Sequence, residues 1–412
     1  MLQRFPKFAP CFAILRVRPG GVEGDRFVIV GVPKEIALGE RRVALVPDAV
    51  ETLITAGMQV VIEPGCGFGT GFNDTAYAAV GAEVAADVAD VYARADLVTK
   101  VRAPQERQAG GHELEALRAG SVLVGFLRPL DAPELARSLA KGGVTAFAME
   151  LMPRITRAQS MDALSSMSTL AGYRAVLLGA TALPRMFPML VTAAGTVSPA
   201  RVLVIGAGVA GLQAIATARR LGAVVEAYDT RPAVGEQVES LGARFVKLDL
   251  EVGDAEDAGG YARAQSDDFY VRQRELLGER VAASDIVITT ALVPGEPAPL
   301  LIEEAAVRAM RSGSVIVDLA AEKGGNCALT EPGRQIVMHG VTLVGYTELA
   351  SEVPGNASQL YAKNLTTFIR HLAPEGELVL DLDDEITSGA LLTHEGKIVN
   401  EAVRARAERS GS

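Results

Sequence analysis

RVLVIGAGVAGLQAIATARRLGAVVEAYD, residues 201–229, is the stretch that decides the fold of this chain. Its first apolar run, Val202–Ile205, predicts a short strand, and the alanine-rich pattern that ends near Leu221 predicts a helix. A second apolar run, Val224–Tyr228, predicts another strand, which Asp229 closes. The G-x-G-x-x-G turn between the first strand and the helix consists of Gly206, Gly208 and Gly211. This order of strand, glycine turn, helix, strand and acid is typical of a dinucleotide-binding βαβ unit.

Each glycine has its own physical task in such a turn. Gly206 permits the tight turn, Gly208 lets a pyrophosphate approach the backbone, and Gly211 lets the helix pack on the strand. The helix N-terminus offers free N–H groups to the phosphates. Asp229 stands where a carboxylate binds the adenosine ribose and repels a 2′-phosphate, so we expect NAD(H) rather than NADP(H). The alternative is an α/β crossover whose glycines serve only packing.

Composition narrows the class of protein. With 412 residues, of which 49% are apolar and 42 are glycine, the chain suits two or three α/β domains with many tight turns. The formal net charge of −10 argues against broad nucleic-acid binding. Three scattered cysteines, Cys11, Cys66 and Cys327, predict neither a disulfide framework nor a metal centre. No apolar run reaches the length of a membrane span, so we expect a chain that is soluble by itself.

Strand and helix patterns alternate along most of the chain, which predicts parallel sheets. We expect two Rossmann-like, doubly wound α/β domains separated by a cleft. The first is discontinuous, residues 27–160 and 355–412, and its tail includes a hairpin that turns at Glu395-Gly396. The second is the nucleotide-binding Rossmann domain, residues 161–354. Residues 1–26 do not fit either pattern and are expected to be a disordered extension.

A general base for alcohol or amine oxidation is hard to find in this sequence. The four histidines lie outside the strand ends that would face a nicotinamide, namely His112, His339, His371 and His394. The better candidate for chemistry is the polar segment from Arg154 to Asp162. Arg154 can neutralise a pyrophosphate, and Gln159 and Asp162 can orient an amide or a ring. These residues suit positioning rather than proton transfer, and a polar domain hinge explains the segment equally well.

Motifs along the whole chain resemble the NAD(H)-binding alpha component, the split alpha-1 form of domain I, of proton-translocating NAD(P) transhydrogenase. The motifs are GVPKE from Gly31, AMELMPRITRAQSMDALSSMSTLAGYRAV from Ala148, TAAGTV from Thr192, the glycine-turn stretch above, ITTALVPG from Ile288, GSVIVDLA from Gly313, KGGNC from Lys323 and YAKNL from Tyr361. The resemblance implies direct hydride transfer from NADH on this chain to NADP⁺ on a partner subunit. A membrane-spanning partner would couple that transfer to proton translocation.

The resemblance also implies roles for particular residues. Arg154, Gln159 and Asp162 would be catalytic. The residues expected to bind the cofactor are Ser165, Gly206, Gly208, Gly211, Asp229, Thr230, Arg231, Gly260, Tyr261, Gln273 and Leu292. Gly260 and Tyr261 fall in an acidic, irregular stretch, 249–268, whose length is typical of a lid or a disordered insertion.

Two other functions stay open beside this one. Alanine dehydrogenase has a similar fold, and Lys100 matches its lysine position. Its histidine should lie near Gly125–Arg128, where this chain reads GFLR, and the RxxRAQ segment is foreign to it. A non-catalytic NAD-sensing module is the third option, but such a module would lack the nicotinamide segment.

The resemblance implies an assembly as well. We expect NAD(H) on this chain, NADP(H) on a partner subunit, a membrane-spanning partner and a homodimer. The chain ends at Ser412 without the membrane helices that some members carry, which favours the split-subunit form. The expected location is cytoplasmic, peripheral on the inner face of the cytoplasmic membrane.

Overall fold

A computed structural model describes residues 15–16, 27–108, 110–248, 266–293 and 295–410. Contacts between Cα atoms divide it into two units. Unit 1 comprises residues 1–37, 43–162 and 361–412, and unit 2 comprises residues 38–42 and 163–360.

Unit 1 begins with alternating strands and helices. Its strands are β1 (Leu15–Arg16), β2 (Ile29–Val32), β3 (Gln59–Ile62), β4 (Glu83–Val84), β5 (Leu97–Thr99), β6 (Val122–Gly125) and β7 (Thr145–Ala148). Its helices are α1 (Pro47–Thr55), α2 (Asp74–Ala79), α3 (Val88–Arg94), α4 (Glu113–Ala116) and α5 (Pro133–Lys141). Short 3₁₀ helices cover Phe68–Thr70, Met149–Leu151 and Thr156–Met161.

Unit 2 continues the alternation around the glycine turn. Its strands are β8 (Leu190–Thr192), β9 (Gly195–Val197), β10 (Arg201–Ile205), β11 (Val224–Tyr228), β12 (Arg244–Phe245), β13 (Ile286–Thr289), β14 (Val315–Asp318), β15 (Gln335–Met338) and β16 (Val341–Val344). Its helices are α6 (Ala163–Ala182), α7 (Val209–Arg220), α8 (Gly235–Ser240), α9 (Asp267–Ala282) and α10 (Glu304–Ala309). Its 3₁₀ helices are Pro232–Val234, Ala321–Lys323 and Leu349–Glu352.

The chain then returns to unit 1. Helix α11 (Pro354–Leu372) begins among the last residues of unit 2 and belongs to unit 1 from Tyr361 onward. The remaining elements are a 3₁₀ turn (Pro374–Gly376), β17 (Val379–Leu380), α12 (Glu385–Ala390), β18 (Leu391–His394), β19 (Lys397–Ile398) and α13 (Glu401–Ser410). Glu395 and Gly396 join β18 to β19 with positive φ angles, as a tight hairpin turn requires.

The sheet of unit 2 has the strand order β12-β11-β10-β13-β14-β16-β15. All pairs are parallel except β15 with β16. Without the edge strand β15, this is the 3-2-1-4-5-6 order of a doubly wound nucleotide-binding fold. Buried side chains on both faces of the sheet form two apolar layers, so the central strands β10, β13 and β14 are made mostly of apolar residues.

The main sheet of unit 1 repeats the same winding. Its order is β19-β18-β7-β6-β5-β2-β3-β4. The six strands β2 to β7 are all parallel to one another. The tail adds β18 and β19 as antiparallel edge strands. The predicted fold class, two Rossmann-like parallel-sheet units, is therefore confirmed.

The division into units differs slightly from the expected domain limits of 160/161 and 354/355. It falls after Asp162 because α6 begins at Ala163, and it falls inside α11 because that helix is continuous. Residues 38–42 belong to unit 2 because Arg41 N donates to Ser351 Oγ (2.8 Å) and Arg42 pairs with Glu348 (3.1 Å).

Within the segment expected to be disordered, Leu15 and Arg16 differ from the prediction. They pair with Leu380 and Val379 as a short antiparallel ladder. The other residues of 1–26 lie outside the described residues.

Candidate functional site

The glycine turn lies where the strand order of unit 2 reverses, between β10 and β13. In open parallel sheets this position, at the carboxyl ends of the strands, is where ligands bind. Gly206 follows β10 with φ of +96°, and a Cβ there would lie 2.5 Å from Thr290 Oγ1. A Cβ on Gly211 would lie 1.9 Å from the Gly206 carbonyl oxygen, so α7 packs directly on the turn.

Gly208 has a different environment from the other two glycines. The nearest atom that a Cβ there would meet is Arg231 Nη2 at 4.0 Å. Gly208 is also the N-cap of α7, where the first N–H groups of the helix are free to bind an anion. The turn therefore leaves backbone open at the position that a pyrophosphate needs.

Thr290 secures this turn, although the sequence analysis did not single it out. Its hydroxyl donates to the Gly206 carbonyl oxygen at 3.0 Å, and its N–H donates to Ile205 O at 2.8 Å. Thr290 directly follows β13, so the signal was present in the ITTALVPG motif: a polar residue at the end of a buried strand.

Asp229 lies at the end of β11, beside the turn, and is 9% exposed. Its carboxylate accepts hydrogen bonds from Ala207 N (2.7 Å) and from the backbone N–H of Arg231 (2.9 Å). The guanidinium of Arg231 also donates to both carboxylate oxygens at 2.9 Å. The oxygens expected to bind a ribose are thus paired with a cation, which weakens the repulsion of a 2′-phosphate. Thr230, between them, is half-buried.

Gln273, on α9, extends the site on the same side as Asp229. Its Nε2 donates a hydrogen bond to the hydroxyl of Tyr228 at 2.9 Å. Tyr228 is the residue that directly precedes Asp229. Burial raises the pKa of Tyr228 to about 12, so this hydroxyl is neutral at physiological pH. Gln273 is 1% exposed, and among the described residues its Oε1 has no hydrogen-bond partner. Such a buried acceptor suits a ligand donor, for example an amine or a hydroxyl group.

Leu292 lies in the loop after β13, and a buried polar network fixes that loop. Asn326 Oδ1 accepts from Ala291 N (3.1 Å), and its Nδ2 donates to Ala291 O (2.9 Å). Asp318, at the end of β14, accepts in turn from Asn326 N (2.8 Å) and from the Thr289 hydroxyl (2.9 Å). Leu292 itself is 41% exposed, so a rigid backbone presents an accessible apolar side chain.

The polar segment of residues 154–162 lies in unit 1, after β7. Arg154 and Gln159 are exposed, and Asp162 is half-buried at the end of the 3₁₀ helix Thr156–Met161. The next expected residue, Ser165, is half-buried in the first turn of α6 and belongs to unit 2.

Two of the expected cofactor residues, Gly260 and Tyr261, lie outside the described residues. The described portion of unit 2 groups most of the others around the ends of β10, β11 and β13: the three glycines, Asp229, Thr230, Arg231, Gln273 and the loop of Leu292. Ser165 lies apart from them in sequence, on α6.

Lys100 occupies the corresponding end of β5 in unit 1, and its side chain is fully buried. Its Nζ lies 3.0 Å from Glu113 Oε1 and 3.4 Å from Glu35 Oε2. Burial alone would lower the pKa of Lys100, but the two carboxylates outweigh it and raise the pKa above its usual value. The structure therefore holds Lys100 as a buried cation that is paired with two carboxylates.

Comparison with known proteins identifies the family. The alanine dehydrogenase/PNT N-terminal and C-terminal domain models match residues 31–171 and 175–401. The first part of NAD(P) transhydrogenase subunit alpha of Rhodospirillum rubrum is 50% identical over 377 residues, 91% of this chain and 98% of that protein. The chain belongs to the family of NAD(P) transhydrogenase alpha subunits.

Two further comparisons show how similar the chain is to transhydrogenase and to alanine dehydrogenase. The crystal structure of transhydrogenase from Sinorhizobium meliloti has a TM-score of 0.80 and 44% identity, covering 90% of this chain and 99% of that one. Alanine dehydrogenase of Bacillus subtilis is 31% identical, over 91% of this chain and 94% of that protein. The transhydrogenase interpretation is confirmed over the alanine dehydrogenase alternative, in agreement with the buried state of Lys100.

Proposed function

We propose that this transhydrogenase alpha chain binds NAD(H) at the carboxyl ends of β10, β11 and β13 and exchanges a hydride with NADP(H) held by a partner subunit. The observation that carries the proposal is the open backbone at Gly208, between the free N–H groups of α7 and the Asp229 carboxylate. Free N–H groups at a helix N-terminus bind the pyrophosphate of a dinucleotide, and a nearby carboxylate binds its adenosine ribose. The buried Oε1 of Gln273 has no hydrogen-bond partner among the described residues. This free acceptor supports the proposal that the adenosine group binds near Asp229.

When bound, the nicotinamide ring supplies or accepts the hydride, and no proton has to be moved on this chain. The residues therefore act by orientation. Gly206, Gly208 and Gly211 shape the phosphate turn, and Asp229, Thr230 and Arg231 bind the adenosine ribose. Arg154, Gln159, Asp162 and Ser165 fix the nicotinamide end. Holding two rings at near-attack distance supplies much of the rate enhancement of such a reaction.

The assembly belongs to the same proposal. An NADP(H)-binding subunit and a membrane-spanning subunit complete the enzyme, and the membrane subunit couples hydride transfer to proton translocation. The chain is then a peripheral subunit on the inner face of the cytoplasmic membrane, and it forms a homodimer. Within the described ranges, every helix is too short or too polar to cross a bilayer, which is compatible with this role.

Nucleotide titration tests the identity of the ligand. We expect the isolated chain to bind NADH at least about tenfold more tightly than NADPH, because Asp229 accepts from a ribose diol and not from a 2′-phosphate. Arg231→Ala should widen this preference, because the arginine that offsets the charge of Asp229 is removed. The matched control is Arg244→Ala, which removes an arginine whose side chain is 68% exposed. Equal affinities of the unmodified chain for NADH and NADPH would refute the assignment.

A further inference from the structure

A buried amide of unit 1 contacts the segment that would hold the nicotinamide. Asn364, on α11, is 8% exposed, and its Nδ2 donates to the carbonyl oxygen of Ser160 at 2.8 Å. Ser160 directly follows Gln159 and lies two residues before Asp162. The hydrogen bond therefore acts on the backbone that carries both side chains.

The helix behind Asn364 is a fixed support. Tyr361, Leu365 and Phe368 of α11 are fully buried in unit 1. The hydroxyl of Tyr361 donates to Lys100 O at 2.7 Å, which ties the helix to the end of β5. Asn364 thus projects from a packed helix whose position the core determines.

The segment that Asn364 contacts has weak local structure. The 3₁₀ helix Thr156–Met161 is short, and the last carbonyl groups of a helix have no partners within it. A second contact, Arg157 Nη2 to Asp384 Oδ2 at 2.9 Å, involves an arginine side chain that is 61% exposed. Exposed ion pairs of this kind contribute little to stability, because water screens the two charges. Ala158 and Met161 of the 3₁₀ helix are buried as well, and Asn364 adds a buried hydrogen bond to its backbone.

We propose that Asn364 is a positioning residue for hydride transfer: it fixes the Ser160 carbonyl and, through it, Gln159 and Asp162. The inference rests on the proposed function, which places those two side chains at the nicotinamide. Among the described residues the Oδ1 atom of Asn364 has no hydrogen-bond partner, so the amide acts through its donor alone. Asn364→Asp keeps the shape and removes that donor.

Single-turnover kinetics with the NADP(H)-binding partner subunit test this role. For Asn364→Ala and Asn364→Asp we expect a hydride-transfer rate constant about 10- to 100-fold lower, because misplacement by about 1 Å has such an effect. The Kd for NADH should stay within about threefold, because Gly208 and Asp229 of unit 2 are untouched. The matched control is Thr366→Val on the same helix. Thr366 is 7% exposed, and its hydroxyl has no hydrogen-bond partner among the described residues. The hydride-transfer rate constant of Thr366→Val should therefore equal that of the unmodified chain.

The rate constant separates positioning from folding, because loss of folded protein lowers the amplitude of the signal and leaves the rate constant unchanged. Unchanged rate constants in both Asn364 variants would overturn the inference while leaving the proposed function intact. A failure of the unmodified chain to exchange hydride with the partner would instead refute the proposed function itself.

Discussion

At the scale of single residues, the half-buried Glu150 shows how the surroundings of a carboxyl group set its pKa. It precedes the nicotinamide segment, and its carboxylate accepts hydrogen bonds from the backbone N–H groups of Leu127 (3.2 Å) and Arg128. Arg128 has φ of +51°, so these bonds hold a turn in a conformation that few non-glycine residues adopt. Burial raises the pKa of Glu150 from 4.5 to about 7, and its backbone hydrogen bonds offset some of that rise.

This pKa predicts a pH-dependent stability. Between pH 4.5 and about 7 the folded chain keeps a proton on Glu150 that the unfolded chain has lost, so the free energy of unfolding falls as pH rises. The contribution is at most about 3 kcal/mol. In urea titrations across this range, Glu150→Gln should show a smaller decline. The control is Glu134→Gln, an exposed carboxylate, whose profile should match that of the unmodified chain. A decline equally steep in Glu150→Gln would show that Glu150 is not its source.

Residues differ in how far the sequence alone can predict them. Gly206, Gly208 and Gly211 were predictable because a turn with this geometry tolerates no side chain at two of them. The sequence could not predict the pairing of Asp229 with Arg231 or the contacts of Thr290 and Asn364. These depend on which side chains the tertiary fold brings together, and local patterns contain no such information.

At the scale of elements, the hairpin of β8 and β9 stands apart from the main sheets. In the described structure its two strands pair with each other and belong to no larger sheet. Apolar side chains on and beside it are exposed, including Met189 (62%) and Val191 (69%). An isolated two-stranded hairpin is marginally stable in water, so its apolar surface favours burial against another chain. The homodimer proposed above would bury this surface.

Light scattering after size-exclusion chromatography tests the role of the hairpin. The unmodified chain should have the mass of a dimer, and Val191→Asp should shift it toward the monomer, because a buried unpaired carboxylate is costly. The matched control is Val337→Asp, since Val337 on β15 is also exposed (64%) but lies in another hairpin. A dimer of unchanged stability in Val191→Asp would exclude the hairpin from the interface.

At the scale of the whole molecule, both units wind their strands in one order, 3-2-1-4-5-6. Alternating strand and helix patterns predicted parallel, doubly wound sheets, and right-handed crossovers limit the possible topologies, but the strand order itself comes from the structure. The two units differ at the carboxyl ends of their central parallel strands. Unit 2 has the open turn at Gly208, whereas unit 1 has the buried Lys100 between two carboxylates. The open turn at Gly208 was predicted from the glycine motif, whereas the burial of Lys100 depends on tertiary packing that local sequence patterns do not reveal.

The proposed reaction is direct hydride transfer between two bound nucleotides, and an isotope-transfer experiment follows that hydride from one nucleotide to the other. The chain and its NADP(H)-binding partner would be mixed with NADH deuterated at both C4 positions and with NADP⁺ in ordinary water. We expect one deuterium in each NADPH formed, no label in the solvent, and no NADPH when either subunit is omitted, because direct transfer has no exchangeable intermediate. NADPH without deuterium would contradict direct transfer.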